Sequence, residues 1–153
     1  MLKTNFGERV GRFSPDGRWV AYQSNESGRS EINIRPFVAP GTGGAVDDRA
    51  TDGQWQVSTI GGIYPVWRQD GKELYYVGPN GDIMAVPITT TGRTLQAGAP
   101  EVLFPTRILG GGADGLHFRQ YDVSRDGRFL INTVLDDDAS PITLIQNWNP
   151  LGK

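Results

Sequence analysis

Cysteine is absent from the sequence, and His117 is its only histidine. Without cysteine the chain forms no disulfide bond and no thiolate metal site, and its redox compartment stays undecided. A lone histidine with no second histidine or cysteine beside it is weak evidence for a metal site, because zinc takes several such ligands. The sequence therefore predicts no metal and no other cofactor.

Long apolar runs and clusters of one charge are also missing. No segment approaches the roughly 20 apolar residues of a membrane-spanning helix, and the opening residues MLKTNFGERVG contain no apolar stretch of signal-peptide length. Fifteen Lys and Arg residues stand against 17 Asp and Glu residues without forming a basic stripe, so nucleic-acid binding is not expected. The sequence predicts a soluble chain with no membrane segment, and it does not identify a cellular compartment.

Short catalytic motifs are missing too. The sequence contains no G-x-S-x-G nucleophile elbow, no G-x-x-x-x-G-K-[ST] phosphate loop and no H-E-x-x-H zinc motif. Asp136, Asp137 and Asp138 form an acidic run, but they lack the alternate spacing and central glycine of a calcium-binding loop. We interpret this run as a solvated turn, so no residue is predicted to be catalytic.

Glycine and proline are abundant by contrast, with 21 and 10 residues among 153. They fall between apolar runs instead of forming one tract, which is typical of many short strands joined by turns. No segment shows the period of an amphipathic helix. The composition and pattern therefore predict an all-β chain.

A repeated phrase organises the predicted strands. Three Asp-Gly pairs, at Asp16, Asp70 and Asp126, recur at intervals of roughly 55 residues in the segments FSPDGRWVAY, VWRQDGKELYY and YDVSRDGRFLI. Asp-Gly between apolar runs predicts a hairpin turn, because glycine adopts positive φ without strain and aspartate bonds to the nearby backbone. We interpret the repeated aspartates as turn residues and not as a catalytic or metal site.

Each repeat unit holds four predicted strands, d, a, b and c in chain order, and strand a carries Phe13, Trp67 or Val123 ahead of the Asp-Gly turn. The three units cover approximately residues 1–37, 53–88 and 100–148. Four antiparallel strands per repeat are the signature of a β-propeller blade. We therefore predict that residues 1–153 form a single β-propeller segment of three blades, with the two Gly-rich segments APGTGGAVDDRATDG and RILGGGADG as surface loops.

The segments FSPDGRWVAYQSNESGRSEINIRPF, WQVSTIGGIYPVWRQDGKELYYVGPNGDIMAVPI and YDVSRDGRFLINTV, with the later SPITLIQNW, resemble the WD40-like and TolB-like propeller repeats of bacteria. They are most similar to the propeller that follows bacterial serine/threonine kinase domains, and the likeness covers almost the whole chain. This resemblance implies a propeller that binds protein or peptide partners, or senses a ligand, and such propellers often lie outside the cytoplasm. It does not imply kinase activity, because the Gly-rich nucleotide loop and the His-Arg-Asp catalytic loop are missing.

Three blades alone would leave two open strand edges, whereas propellers have about four to eight blades. Because unpaired edges promote association, we predict a two-fold symmetric homodimer of six blades. In it, Met1–Phe6 of one chain pairs with Ile142–Trp148 of the other, and reciprocally. The alternative is a truncated fragment of a larger sensor or kinase-linked propeller whose other blades close the ring, and the composition does not separate the two.

Tyr64, His117 and Arg119 are the candidate ligand-binding residues. His117 and Arg119 lie just before strand a of the third unit, in GLHFRQYDV, and the d-to-a loops of a propeller line one mouth of its central channel. Tyr64 lies in GGIYP, beside glycines that allow close approach, and tyrosine is enriched in binding interfaces. The four tryptophans are instead predicted to pack between blades: Trp19, Trp55, Trp67 and Trp148.

These observations predict a non-enzymatic β-propeller scaffold or binding module. Loops at the mouth of its central channel would recognise a protein, a peptide or a small ligand. The alternative is a propeller enzyme, a hydrolase or lyase with its site in the channel, to which a dimer would bring two copies of His117. A fold by itself establishes neither function.

Overall fold

The computed structural model of this chain describes residues 7–37, 53–92, 94–112 and 119–134. Within these ranges the chain forms strands and turns and no helix, which confirms the predicted all-β class. The strands are β1 (Glu8–Phe13), β2 (Trp19–Ser24), β3 (Glu31–Pro36), β4 (Trp55–Gln56), β5 (Ile63–Trp67), β6 (Glu73–Val77), β7 (Ile83–Thr91), β8 (Thr94–Ala97), β9 (Glu101–Phe104), β10 (Tyr121–Val123) and β11 (Phe129–Ile131).

The first sheet consists of β1, β2, β3 and β4, antiparallel and in that order. Side chains of a strand alternate between the two faces of a sheet, and the alternate residues of β2 and β3 on one face are large and apolar. That face carries Trp19, Ala21, Ile32 and Ile34, each at most 2% exposed. Strand β4, which lies far along the chain, pairs with β3 through Trp55 opposite Ile34 and so completes the first sheet.

The second sheet repeats this order with β5, β6, β7 and β9, where β9 pairs with β7. Strand β7 continues beyond the pairing with β9 and turns back into β8, with Thr91 opposite Thr94. The sequence pattern did not predict β8. Its signal is the Gly-Arg pair in TTTGRTLQ, because a two-residue hairpin loop favours glycine at its first position, and Gly92 has a φ of 59°.

The third sheet, as far as the described residues define it, contains β10 and β11, with Tyr121 opposite Ile131. A bridge between Ile108 and Thr133 ties the end of β11 to the segment that follows β9. The strand predicted at 142–148, and the predicted exchange partner at 1–6, both lie outside the described residues.

The Asp-Gly pairs form the predicted hairpin turns. Gly17, Gly71 and Gly127 have φ values of 69°, 72° and 82°. In the first two turns the aspartate accepts a hydrogen bond from the backbone N–H two residues later, at 3.1 Å from Arg18 and 3.0 Å from Lys72. Hydrogen bonding from Ser14 lowers the pKa of Asp16 to about 2, so this carboxylate is charged at neutral pH and serves the turn. The structural role predicted for the aspartates is confirmed.

Two apolar clusters hold the three sheets together. One lies between the first and second sheets and the other between the second and third sheets. Trp19 and Trp67 belong to the first cluster, Trp55 packs against it, and the rings of Trp19 and Trp55 meet edge to face at 5.5 Å. These three tryptophans therefore fill the space between sheets, while Trp148 lies outside the described residues. Leu74 and Tyr76 supply the facing surface from the second sheet.

Candidate functional site

The first strands of the three sheets, β1, β5 and β10, come together along one edge of the molecule, which we call the inner edge. The indole Nε1 of Trp67 on β5 donates to the carbonyl oxygen of Arg12 on β1 at 3.1 Å. The hydroxyl of Tyr121 on β10 donates to the carbonyl oxygen of Tyr64 on β5 at 2.9 Å. Three segments that are far apart in the chain are thereby fastened to one another through backbone carbonyl groups.

The inner strands β1 and β5 share a bulge at the same repeat position. Val10 and Tyr64 have φ values of 54° and 57°, and each stands three residues before the aromatic residue that precedes the Asp-Gly turn, Phe13 or Trp67. The pairing of both strands with their neighbours shifts register at this point. Positive φ is strained for residues other than glycine, and bulges re-aim the side chains that follow them. The strain is therefore a repeated feature of the inner edge and not an isolated irregularity.

Charged side chains gather at the inner edge beyond this bulge. Arg12 on β1 and Asp122 on β10 occupy the same position of their repeats, one residue before Phe13 and Val123. Arg119 forms an ion pair with Asp122, with 2.8 Å between Nη1 and Oδ2. Burial and the positive charge of Arg119 lower the pKa of Arg12, and the charge of Asp122 acts in the opposite direction. Arg12 on the first sheet is therefore within electrostatic range of the Arg119–Asp122 ion pair beside the third sheet.

Two of the predicted ligand-binding residues lie at the inner edge. Arg119 is exposed and paired with Asp122. Tyr64 lies within β5 and is only 4% exposed, so its ring is not accessible from solvent. Its contribution to the inner edge comes from its backbone, through the carbonyl group and the strained φ. His117 lies outside the described residues. Ligand binding by these three residues stays a prediction.

The sequence reasoning missed Arg12, although a signal for it exists. Alignment of the three repeats on their Asp-Gly pairs places Arg12 in register with Asp122. The inner strand, followed position by position, therefore carries an arginine and an aspartate at equivalent places. The alignment alone therefore puts the two charged residues at one repeat position, which Val66 occupies in β5.

A groove of about 690 Å³ lies elsewhere, between the hairpin ends of the first and second sheets. Its walls include Trp19, Trp67 and both Asp-Gly turns, with Arg18 reaching across at 3.5 Å from Nη1 to the carbonyl oxygen of Gly92. The Nε1 of Trp19 is buried and has no hydrogen-bond partner among the described residues. The carboxylates of this groove are already engaged by their own turns, so they are poorly placed to bind a ligand.

A buried carboxylate fastens the connection between β4 and β5 to the first sheet. Glu31 is 1% exposed, and it accepts hydrogen bonds from the hydroxyl of Ser58, from the backbone N–H of Gly61 at 3.1 Å, and from Arg29 at 2.5 Å. The Ser58 hydroxyl oxygen in turn accepts from the N–H of Ile32 at 2.7 Å. All of these partners are groups of the folded chain, and two of them, Ser58 and Gly61, lie between β4 and β5. Glu31 therefore positions the segment that leads into the inner strand β5.

The described ranges contain neither a cluster of candidate metal ligands nor a helix suited to spanning a membrane. The aspartate and glutamate side chains of these ranges do not gather into a group of three that could hold a metal ion. The same part of the chain contains no helix whose length and hydropathy would suit it to crossing a membrane.

Comparison with known proteins yields a structural likeness only. No family model matches the sequence, and no curated protein matches it. Among solved structures, the fold is similar to that of a Bacteroides uniformis protein assigned as a 6-phosphogluconolactonase, with a TM-score of 0.50 and 18% sequence identity. The likeness covers 86% of this chain and 34% of that protein, so the chain spans about a third of the length of its structural neighbour. At this identity the likeness concerns the fold alone.

The predicted membership of the WD40-like and TolB-like repeat family is wrong. A likeness over almost the whole chain should have produced a family match, whereas none is found and the solved structure described above, at 18% identity, is of a protein assigned as a lactonase. The error has a physical cause. The quoted segments consist mainly of Asp-Gly turns and apolar strand residues, which any antiparallel hairpin favours. They therefore indicate hairpins, and they do not indicate descent from one family.

Proposed function

We propose that this chain is a non-enzymatic binding module, built as a segment of a β-propeller, whose ligand site is the inner edge. The observation that carries the proposal is the meeting of β1, β5 and β10, with Arg12 within electrostatic range of the Arg119–Asp122 ion pair. The repeated order of strands in the first and second sheets is what successive propeller blades require. Inner strands of such blades line a central channel, where a protein, peptide or small ligand would bind.

Ligand binding at the inner edge is testable without knowing the natural ligand. A phage-displayed library of random short peptides is selected on the immobilised protein, and enriched peptides are then titrated into ¹⁵N-labelled protein. We expect chemical-shift changes at Arg12, Tyr64 and Asp122 to exceed those at the hairpin turns of Asp16 and Asp70. Failure to enrich any peptide, or shift changes confined to the hairpin turns, would contradict the proposed site.

We also propose that the ring is closed by a second copy of the chain. Phe13 and Phe37 are 58% and 38% exposed and meet edge to face at 4.7 Å. Phe13 stands opposite Val20 and so lies on the face of the first sheet that points away from Trp19. Leu130, 54% exposed, lies on the face of the third sheet that points away from the core. In a two-fold symmetric dimer, the exposed face of the first sheet in one copy packs against the exposed face of the third sheet in the other copy. The symmetry forms this contact twice, so the exposed faces of both copies are covered.

Light scattering on the purified protein tests this assembly. We expect a mass twice the 16.7 kDa of one chain at micromolar concentration. Phe13→Asp should weaken the dimer at least about tenfold, because it places a charge in an apolar contact. Ile60→Asp is the matched control, since Ile60 is equally exposed at 59% but lies in the connection between β4 and β5. A wild-type mass of one chain at about 10 µM, or equal effects of the two variants, would refute the arrangement.

A further inference from the structure

The inner edge carries one more positive charge than negative charge. Arg12 and Arg119 each carry a guanidinium group, which stays protonated at all ordinary pH values, and Asp122 is the carboxylate that interacts with both. Asp122 is already bonded to Arg119 at 2.8 Å. None of the ion pairs within the described ranges includes Arg12. Arg12 is therefore a cation held near another cation, with the nearby carboxylate committed elsewhere.

Arg12 is also poorly supplied with hydrogen-bond acceptors. Its Nε is buried and has no partner among the described residues. Its Nη1 lies 3.5 Å from the carbonyl oxygen of Gly11, which is at the long limit for such a bond. A partly desolvated guanidinium without acceptors is costly, and an added anion would offset that cost. Because Nε is enclosed, an anion would approach through the Nη groups.

We infer that Arg12 and Arg119 together bind an oxyanion, a carboxylate or a phosphate group, at the inner edge. The inference rests on the proposed function, because it specifies the ligand class of the same site. The planar fork of a guanidinium suits both anions, which accept two parallel N–H bonds. Asp122 then acts as a competing partner, since it pairs with Arg119 at 2.8 Å and lowers the net charge of the site by one.

The binding experiment uses the full chain and small probes of defined chemistry. Inorganic phosphate and acetate are titrated into ¹⁵N-labelled protein at fixed ionic strength, because salt screens exposed charges. Acetamide serves as the neutral isostere of acetate. We expect saturable shifts at Arg12 and Asp122 with a dissociation constant on the order of 1 mM for at least one anion and none for acetamide. Whichever of phosphate and acetate binds more tightly identifies the source of the oxyanion.

Three variants separate binding from structure. Arg119→Gln, at an exposed position, should weaken anion binding about tenfold, the value of one charge-assisted hydrogen bond. Asp122→Asn should tighten binding about threefold or more, because it raises the net charge of the site by one; a purely structural role for Asp122 would not produce tighter binding. Arg18→Gln is the control, since Arg18 lies at a hairpin turn with its side chain 56% exposed, and it should change binding less than about twofold.

The outcomes distinguish failure of the oxyanion inference from failure of the proposed binding function on which it rests. If neither anion gives saturable shifts, or if Arg119→Gln and Arg18→Gln behave alike, the oxyanion site is refuted. If in that case selected peptides still perturb Arg12 and Tyr64, the inner edge remains the binding site and only the ligand class is wrong. If peptides and anions both fail to perturb the inner edge, the proposed function fails together with this inference.

Discussion

Replacing Glu31 by alanine is expected to lower the free energy of unfolding by about 3 kcal/mol. The carboxylate is 1% exposed and accepts from the buried hydroxyl of Ser58 and from the backbone N–H of Gly61. Its removal leaves these donors without an acceptor in a site that water does not reach freely. Most of the loss comes from these two groups, because the Arg29 side chain is 57% exposed and its ion pair with Glu31 is screened by solvent.

Urea denaturation at pH 7 measures this effect, and two variants calibrate it. Glu31→Gln keeps a carbonyl oxygen for Ser58 or Gly61 and should lose less than half as much stability. Glu26→Ala removes an exposed carboxylate from the preceding turn and should change the free energy of unfolding by no more than about 0.5 kcal/mol. Equal stabilities of Glu31→Ala and Glu26→Ala would show that the buried network is not a structural support.

The same network bears on the inner edge. Ser58 and Gly61 belong to the connection between β4 and β5, and the N–H of Gly62 donates to the carbonyl oxygen of Ser30 at 2.9 Å. A Cβ on Gly62 would stand 2.8 Å from Tyr76 and 2.9 Å from Ile32. The chain therefore enters β5 through a closely packed corner, and the bulge at Tyr64 follows directly after it. We expect Glu31→Ala to change the amide chemical shifts of Tyr64 as well as the stability.

The hairpins were predictable from the sequence because their signals are local. Asp-Gly fixes a turn through positive φ at the glycine and a hydrogen bond to the aspartate, and both act within a few residues. Apolar-rich runs that follow turn signals indicate β2, β3, β6 and most of β7, and this signal is local as well. Strand β8 was missed because Gly-Arg is a weaker hairpin signal than Asp-Gly, although it satisfies the same requirement for glycine in a two-residue loop.

The candidate site was only partly predictable because it depends on contacts between sheets. Arg119 is expected near a channel mouth from its place before an inner strand. Its charge contributes to the lowered pKa of Arg12 on the first sheet, and nothing local to either residue indicates the other. The bulges at Val10 and Tyr64 were likewise invisible, since a valine in a strand-like run gives no warning of a φ of 54°.

In the glycine-rich segment RILGGGADG, the sequence pattern predicts an exposed loop, whereas the structure shows close packing at Gly112. The sequence predicts a surface loop there, because clustered glycines usually mark exposed turns. In the structure, a Cβ on Gly112 would collide with the backbone carbonyl groups of Gly78 and Pro79, in the turn between β6 and β7. The Cα of Gly111 lies 3.4 Å from the place that a Cβ on Gly81 would occupy. Glycine is thus required at position 112 for close backbone approach, and the segment after β9 packs tightly against the second sheet.

Gly112→Ala is accordingly expected to destabilise the protein by about 3 kcal/mol, at the upper end for overpacking, because the obstacle is backbone and cannot rotate away as a side chain would. The matched control is Gly111→Asn. Position 111 has a φ of 56°, and a Cβ there would meet nothing within 4 Å. Asparagine tolerates that conformation, so the expected cost is below about 1 kcal/mol. Thermal and urea denaturation of the two variants measure the difference. Similar stabilities would mean that the segment after β9 does not pack against the 78–82 turn.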